Sequence, residues 1–99
     1  MYQVVWTRKA KVSFNKEIDF IYKKWDEKIV ERFLNRTDEI IRSISHSPLI
    51  FKAYKSDKTI RHGLLHENVT MFYRIVPERS TIEILLFWNN LRNPQKLLL

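Results

Sequence analysis

The sequence predicts an α+β domain in which a helical hairpin packs on one face of a mostly antiparallel, twisted sheet. Two patterns support this fold class. In the first half of the chain, apolar residues recur at the spacing of an amphipathic helix. From Thr59 to Trp88 they alternate with polar residues in strand-like runs. The predicted order is therefore strand, helix, helix and then four strands, within one domain that spans residues 1–99.

The chain is predicted to begin with a strand followed by a helix. Aromatic and β-branched residues dominate Tyr2–Trp6, which is typical of a short strand. Thr7 then offers a side-chain oxygen as the N-cap of the first helix. The lysines beside the apolar stripe of this helix are interpreted as solvated surface. The stripe itself consists of Ala10, Phe14, Ile18, Ile21 and Trp25.

A second helix is predicted to begin at Asp26, after a tight break at Trp25–Asp26. It ends between Ser45 and Pro48, because the residue before a proline is disfavoured in the helical region. Two helices joined by so short a break form an antiparallel hairpin, and the sheet must cover their joint apolar surface. The apolar positions of the second helix are Ile29, Val30, Phe33, Leu34, Thr37, Ile40, Ile41 and Ile44.

Four strands bounded by turn residues complete the predicted sheet. We expect Arg61 and Arg74 on the outer face, the face away from the helices. Strict alternation also places Leu85 and Phe87 on that face. The last strand is apolar on both sides, so it is central, or the tail or a partner covers its second side. The strands are Leu49–Tyr54, Thr59–Leu65, Val69–Val76 and Thr81–Trp88, the tail is Asn89–Leu99, and the helix-facing set is Ile60, Leu64, Val69, Met71, Ile82 and Ile84.

Composition limits the classes of function. With 18 Lys+Arg against 11 Asp+Glu, the net charge is +7, which favours nucleic acid, an acidic protein segment or an anionic membrane surface as partner. A basic protein without such a partner is the alternative. The absence of cysteine excludes disulfides and thiolate metal sites, and a single glycine excludes a glycine-rich phosphate loop.

Small-molecule chemistry finds no support in the sequence. The histidines His46, His62 and His66 lack the spacing and the flanking carboxylates of a zinc site, so we expect no metal, no cofactor and no small-molecule substrate. No secretory signal precedes the first charges, and no apolar run is long enough to span a bilayer. A cytoplasmic location without membrane association is therefore expected.

The remaining candidates form a basic constellation on the sheet. Lys52, Lys55 and Lys58 precede Arg61, and Arg92 follows the last strand. Guanidinium groups beside aromatic rings suit a nucleic-acid backbone or an acidic peptide. An ordinary cross-strand pair with Glu83 is the alternative interpretation of Arg74, and Tyr73 and Trp88 are residue types more often found in a core.

Three runs of the sequence carry a family resemblance. They are SPLIFKAY after the second helix, IRHGLLHENVTMFYRIV through the hairpin and IEILLFWNNLRNP near the end. Together they resemble the RelE/ParE toxin superfamily of bacterial type II toxin–antitoxin systems over nearly the whole chain. The resemblance implies a small cytoplasmic toxin whose partner is a cognate antitoxin, with the C-terminal segment of the antitoxin wrapped across the toxin.

The superfamily implies two possible activities. RelE-like toxins are ribosome-dependent endoribonucleases that cleave mRNA, which requires cations at the reacting phosphate and a group that moves a proton. Arginine positions of RelE-like toxins correspond here to Thr70 and Asn90, and no Tyr or His follows Trp88. ParE-like toxins act on DNA gyrase without hydrolytic chemistry of their own. Arg61 and the W-x-x-x-R-N-P ending favour this second branch.

Each interpretation implies its own site residues. A ParE-like toxin would bind its target through Arg61, Arg74, Trp88, Asn89 and Arg92. Its antitoxin would dock on Phe72, Leu85, Phe87 and Leu97, unless the tail folds back over that surface. A RelE-like ribonuclease acting on ribosome-bound mRNA would use Arg61, His62 and Arg92. A family member without toxicity, which binds only antitoxin or nucleic acid, is the third alternative.

Overall fold

The computed structural model describes residues 1–24 and 26–99, and within them it confirms the α+β class. The elements in chain order are β1 (Gln3–Trp6), α1 (Arg8–Lys24), α2 (Glu27–His46), β2 (Lys52–Tyr54), β3 (Asp57–His66), β4 (Val69–Val76) and β5 (Thr81–Asn89), with short 3-10 turns at Pro77–Arg79 and Pro94–Lys96. The predicted place of Trp25 in the first stripe, and its part in the break, lie outside the described residues. No helix in the described residues is long and apolar enough to cross a membrane.

The sheet is mixed and has the order β1-β5-β4-β3-β2. Strand β1 runs parallel to β5, and the other neighbours are antiparallel. Strand β5 thus lies between β1 and β4, which explains why its sequence is apolar on both sides. The strand predicted at Leu49–Tyr54 begins only at Lys52.

Two side-chain caps start the helices. The hydroxyl of Thr7 accepts a hydrogen bond from the Ala10 amide at 3.1 Å, as predicted for an N-cap, and donates to the Ile84 carbonyl at 2.9 Å. The N-terminus of α1 is therefore attached directly to β5. The carboxylate of Asp26 accepts from the amides of Lys28 and Ile29, which begins α2.

The main core lies between the helices and the face of the sheet that they cover, the helix face. The ring of Phe14 in α1 stacks on that of Phe33 in α2, with the ring centroids 5.3 Å apart. Its centroid lies 4.8 Å from that of Phe87 in β5. Trp6 closes the group at 5.2 Å from Phe87. These aromatic contacts join both helices to the centre of the sheet. Other fully buried members are Ala10, Ile44, Tyr73, Ile82 and Ile84.

A bulge in β5 reverses the predicted alternation. The register passes from Tyr73 opposite Ile84 to Phe72 opposite Leu86, so Leu85 is an additional residue in the strand. Beyond the bulge, Phe87 turns to the helix face and joins the main core. The expectation that Phe87 lies on the outer face is therefore wrong, because one extra residue moves every later side chain to the opposite face.

The register of β3 also corrects the predicted faces. Arg61 is opposite Tyr73 and shares the helix face, so its expected outer position is wrong, whereas Arg74 lies on the outer face opposite Ile60. Ile60 belongs to an apolar cluster on the outer face and was wrongly assigned to the helix-facing set. Leu64 is 56% exposed, and Leu65 enters the main core instead at a second irregularity.

The outer face carries a second apolar cluster, which we call the outer cluster. The tail folds back so that Leu97 packs against it, as does Tyr54 of β2. The alternative in which the tail covers the apolar outer face is therefore the one observed. The members of the outer cluster are Ile60, Phe72, Leu85, Leu86 and Trp88.

Replacing Gly63 should reveal how tightly the connection before β2 packs on the sheet. A Cβ atom at Gly63 would lie 2.8 Å from Cγ of Phe51, inside van der Waals contact. We expect Gly63→Ala to lower the free energy of unfolding by about 1–3 kcal/mol, the usual effect of overpacking. Urea denaturation measures this change.

Two further variants test whether the Phe51 ring causes this loss of stability. Leu64→Ala removes an exposed neighbour and should change the free energy of unfolding by less than about 0.5 kcal/mol. In a chain that already carries Phe51→Ala, the clashing ring is gone. There Gly63→Ala should change the free energy of unfolding very little. Full stability of Gly63→Ala alone would show that Phe51 does not pack there.

Candidate functional site

Arg74 presents a guanidinium group on the outer face. Its Nη1 lies 3.7 Å from Oε1 of Glu83, and Arg79 approaches the same carboxylate at 3.9 Å. The cross-strand pair considered as the alternative for Arg74 is thus present. The Arg74 side chain is 44% exposed, so the ion pair holds it weakly, and the guanidinium stays accessible to a partner.

Arg92 lies on the aromatic face of Trp88. Its guanidinium carbon is 4.8 Å from the ring centroid, a cation–π arrangement. Trp88 is only 6% exposed, whereas Arg92 is exposed. The expected roles of the two residues therefore differ: Arg92 is available for contact, and Trp88 forms its support.

Arg61 serves the fold. Its Nη1 donates to the Phe51 carbonyl at 3.0 Å, and its Nε donates to the Lys58 carbonyl at 3.1 Å. Nearby, the hydroxyl of Tyr73 donates to the Pro48 carbonyl at 2.6 Å. Burial raises the pKa of Tyr73 to about 12, against the smaller opposing effect of the Arg61 charge. Arg61 thus helps to fix the connection between α2 and β3.

His62 is packed away from Arg61. Its ring stacks on that of Phe72, with the ring centroids 5.7 Å apart, and forms a T-shaped contact with the ring of Tyr54 at a centroid distance of 5.5 Å. Its Nδ1 is buried and has no hydrogen-bond partner in residues 1–24 and 26–99. Because neighbouring residues of a strand point to opposite faces, His62 faces the outer cluster while Arg61 faces the helices. The structure therefore does not bring Arg61, His62 and Arg92 together as one catalytic set.

A neutral hydrogen-bonded pair stands at the end of the sheet. The amide of Asn90 donates to the Thr70 hydroxyl at 2.8 Å, and that hydroxyl lies 3.2 Å from the Asn90 side-chain oxygen. The Asn90 backbone N–H also donates to the Asn68 carbonyl at 2.6 Å. Neither side chain brings positive charge to this position, which bears on whether a phosphate could react there.

Asn89 is buried against a carboxyl group that sequence reasoning missed. Its amide donates to Oε2 of Glu17 at 3.3 Å, and each residue is 6% exposed. Burial raises the pKa of Glu17, and the hydrogen bond from Asn89 and the charge of Arg92 oppose that rise. Asn89 therefore positions Glu17 and is not exposed to a target, contrary to the expectation of direct contact. The signal was available: Glu17 lies on the apolar stripe, four residues before Ile21.

The residues expected to bind antitoxin divide between the two faces. Phe72 and Leu85 are in the outer cluster with 3% and 9% of their surface exposed, and Leu97 packs over that cluster. Phe87 is 2% exposed beneath α1, so a partner on the outer face cannot reach it. Among residues 1–24 and 26–99, no group of three His, Asp or Glu side chains is placed to hold a metal ion.

Comparison with known proteins gives one family and a set of similar folds. The family model described as the ParE toxin of the type II toxin–antitoxin system, parDE, matches residues 4–94. A search of curated proteins finds no match. Several solved structures match, and each one cited below is less than 25% identical to this chain, so the likeness shows a shared fold.

Three structures illustrate this fold. A chain of the RelBE2 toxin–antitoxin complex from Mycobacterium tuberculosis has a TM-score of 0.62 and 19% identity, over 89% of this chain and 96% of that one. A YoeB/ParE toxin from Agrobacterium tumefaciens has a TM-score of 0.64 and 15% identity, over 88% and 96%. The isolated E. coli RelE toxin has a TM-score of 0.65 and 13% identity, over 96% and 90%.

The buried Glu17 should make stability depend on pH. Its folded-state pKa is raised above the ordinary value of 4.5. Below that pH the carboxyl is protonated in both states. As pH rises through and above 4.5, the unfolded chain loses the proton first, so the free energy of unfolding falls. Glu17→Gln keeps an acceptor for Asn89 without a charge and should be more stable than the parent at neutral pH.

Urea denaturation over a series of pH values measures the difference. The advantage of Glu17→Gln should shrink as pH falls towards 4.5, where the parent carboxyl is protonated in both states. Asp19→Asn, on an exposed position of α1, is the matched control and should show a much smaller pH-dependent difference. A parent that is more stable than Glu17→Gln at neutral pH would contradict this account of the buried carboxyl.

Proposed function

The chain belongs to the family of ParE toxins of type II toxin–antitoxin systems, and from this membership we propose that it is a ParE-like toxin that binds DNA gyrase and has no hydrolytic chemistry of its own. The similar folds include a RelE toxin as well as a YoeB/ParE toxin, so the fold alone is common to both activities. The choice between them rests on the side chains.

The pair of Thr70 and Asn90 carries the proposal. By the resemblance to RelE-like toxins, these residues correspond to arginine positions of that branch, and in this chain their side chains hydrogen-bond to each other. Cleavage of RNA by its 2′-hydroxyl develops negative charge on the phosphate, and preorganised cations supply much of the stabilisation. A neutral pair cannot supply it, which favours a toxin that acts by binding.

The positions of Arg61 and His62, two of the residues expected to act in a RelE-like ribonuclease, support the same conclusion. Arg61 donates both of its observed hydrogen bonds to backbone carbonyls. His62 is stacked in the outer cluster, and within the described residues its buried Nδ1 has no hydrogen-bond partner to orient the ring. A general base and a cation must reach the same phosphate, and here Arg61 and His62 lie on opposite faces of the sheet.

Arg74 and Arg92 are the proposed target contacts. Both are exposed; the ring of Trp88 supports the guanidinium of Arg92, whereas the ion pair with Glu83 holds Arg74 only weakly. The guanidinium of Arg92 is therefore already oriented and loses less conformational freedom when it binds a carboxylate or phosphate. Arg61 contributes by fixing the connection before β3, and Trp88 contributes by supporting Arg92.

The partner of such a toxin is its cognate antitoxin, as in the toxin–antitoxin complex formed by the similar chain from M. tuberculosis. We propose that the antitoxin docks on the outer cluster near Phe72 and Leu85 after displacing Leu97. The cluster is apolar and the chain is basic, so an antitoxin segment that is both apolar and acidic would fit.

Purified chain without antitoxin should inhibit supercoiling of plasmid DNA by gyrase or accumulate cleaved plasmid. Arg92→Ala should weaken the inhibition by about tenfold, equivalent to about 1.4 kcal/mol, as expected for an arginine at the centre of an interface. A supercoiling assay titrated with toxin measures both effects.

Arg36→Ala provides the matched control. Arg36 lies on α2 in an exposed pair with Glu39, so its loss should leave inhibition unchanged. If folded chain at a stoichiometric excess does not affect gyrase, the proposed target is wrong. Equal weakening by Arg36→Ala and Arg92→Ala would instead refute the proposed contact surface.

A further inference from the structure

The two helices differ in net charge. Helix α1 carries six basic residues against two acidic ones, a net charge of +4, whereas α2 carries four of each. The interpretation of the α1 lysines as plain solvated surface does not explain this difference. Three of them, Lys9, Lys16 and Lys24, line open depressions between α1 and the tail.

The two depressions are adjacent, since Lys16 and Arg92 line both of them, and we call them together the basic groove. Lys9, Lys16 and Lys24 stand along the α1 side, and Arg92 and Lys96 stand along the tail side. At a rise of about 1.5 Å per residue, successive lysines on α1 are spaced by about 10 and 12 Å along the helix axis. The result is a row of cations rather than a single pocket.

Among the described residues that line this groove, one has a carboxylate, and that residue is Glu17. It is 6% exposed, and burial raises its pKa. Its negative charge is therefore disfavoured and lies beneath the surface. The groove accordingly presents a positive field to a polyanion along its whole length.

We propose that the basic groove binds the sugar–phosphate backbone of duplex DNA. Lysines on flexible stems at repeated spacing suit a repeating phosphate chain, which makes most of its contacts through such residues without regard to base sequence. This surface shares Arg92 with the proposed gyrase contacts but does not include Arg74, and the proposal does not depend on gyrase being the target.

Single-stranded nucleic acid fits the groove less well. Binding of a single strand relies on aromatic rings that stack on exposed bases. Trp88 is 6% exposed under Arg92, and Lys24 lies over the ring of Phe20 at 5.0 Å. The aromatic faces along the groove are thus covered by cations, which leaves charge and not stacking as the means of contact.

An acidic peptide is also a weaker match. Tight peptide binding relies on buried anchor residues in well-packed pockets. The groove instead has exposed apolar residues at its margins, such as Val12 and Leu98, and the amine of Lys9 donates to the Leu98 carbonyl, which holds the tail beside α1. The open, cation-lined form favours a long polyanion.

Fluorescence anisotropy with a labelled DNA duplex of about 20 base pairs, at about 50 to 200 mM salt, tests the proposal. The groove variant combines Lys16→Gln, Lys24→Gln and Lys96→Gln and keeps both Lys9 and Arg92. The control variant combines Lys28→Gln, Arg32→Gln and Arg42→Gln on exposed positions of α2 and removes the same charge. Circular dichroism confirms that both variants remain folded.

The parent should bind the duplex with a steep dependence on salt. The groove variant should reduce the slope of log K against log salt by up to about 2.7, because each lost phosphate contact removes about 0.9. The control variant should retain most of the slope. Equal losses in both variants would show that only net charge matters and would overturn the proposal.

Two other outcomes would overturn it as well. The first is failure of the parent to bind the duplex at the lowest salt, and the second is displacement of the labelled duplex more effectively by polyglutamate of matched charge than by unlabelled duplex. The second result would assign the groove to an acidic protein segment. Neither result changes the gyrase assay, and the groove variant keeps Arg92, so the two proposals fail independently.

Discussion

The structure depends on a sheet that is apolar on both faces at its centre. Strand β5 lies between β1 and β4, and its bulge at Leu85 directs Phe87 to the helices and Leu86 and Trp88 to the other side. Each side therefore needs a cover. The helical hairpin covers one side, and the tail covers the other through Leu97. Without these covers, the exposed apolar surface would favour association.

This constraint decides which cations are free. Arg61 lies on the helix face and donates its hydrogen bonds to the backbone carbonyls of Phe51 and Lys58. Arg92 is placed over Trp88 because the tail must turn back across the outer cluster. Helix α1 buries its apolar stripe and leaves its lysines beside the same tail. The proposed binding function rests on these exposed cations and on the separation of Arg61 from His62 within the described residues.

The periodicity of the sequence was sufficient for the class, the hairpin and the central place of the last strand, and residue types marked the cap at Thr7 and the start of α2 near Asp26. It failed where one residue was inserted into a strand. The bulge at Leu85 exchanged the faces of all residues after it, and no local signal marks it, since Leu85 and Leu86 are equally apolar. Arg61 was misplaced because Ile60 was assigned to the helix-facing core, although the outer face has an apolar cluster of its own. The buried Glu17 was detectable as a carboxyl on an apolar stripe.

The central claim is that this toxin acts by binding and does not cleave RNA. The most direct measurement is the mapping of mRNA 5′ ends in a translating bacterial extract that contains the purified chain. The account predicts intact mRNA, with no new ends positioned relative to the reading frame, because Thr70 and Asn90 provide no cation at the phosphate. Codon-positioned cuts that require the folded chain would contradict it.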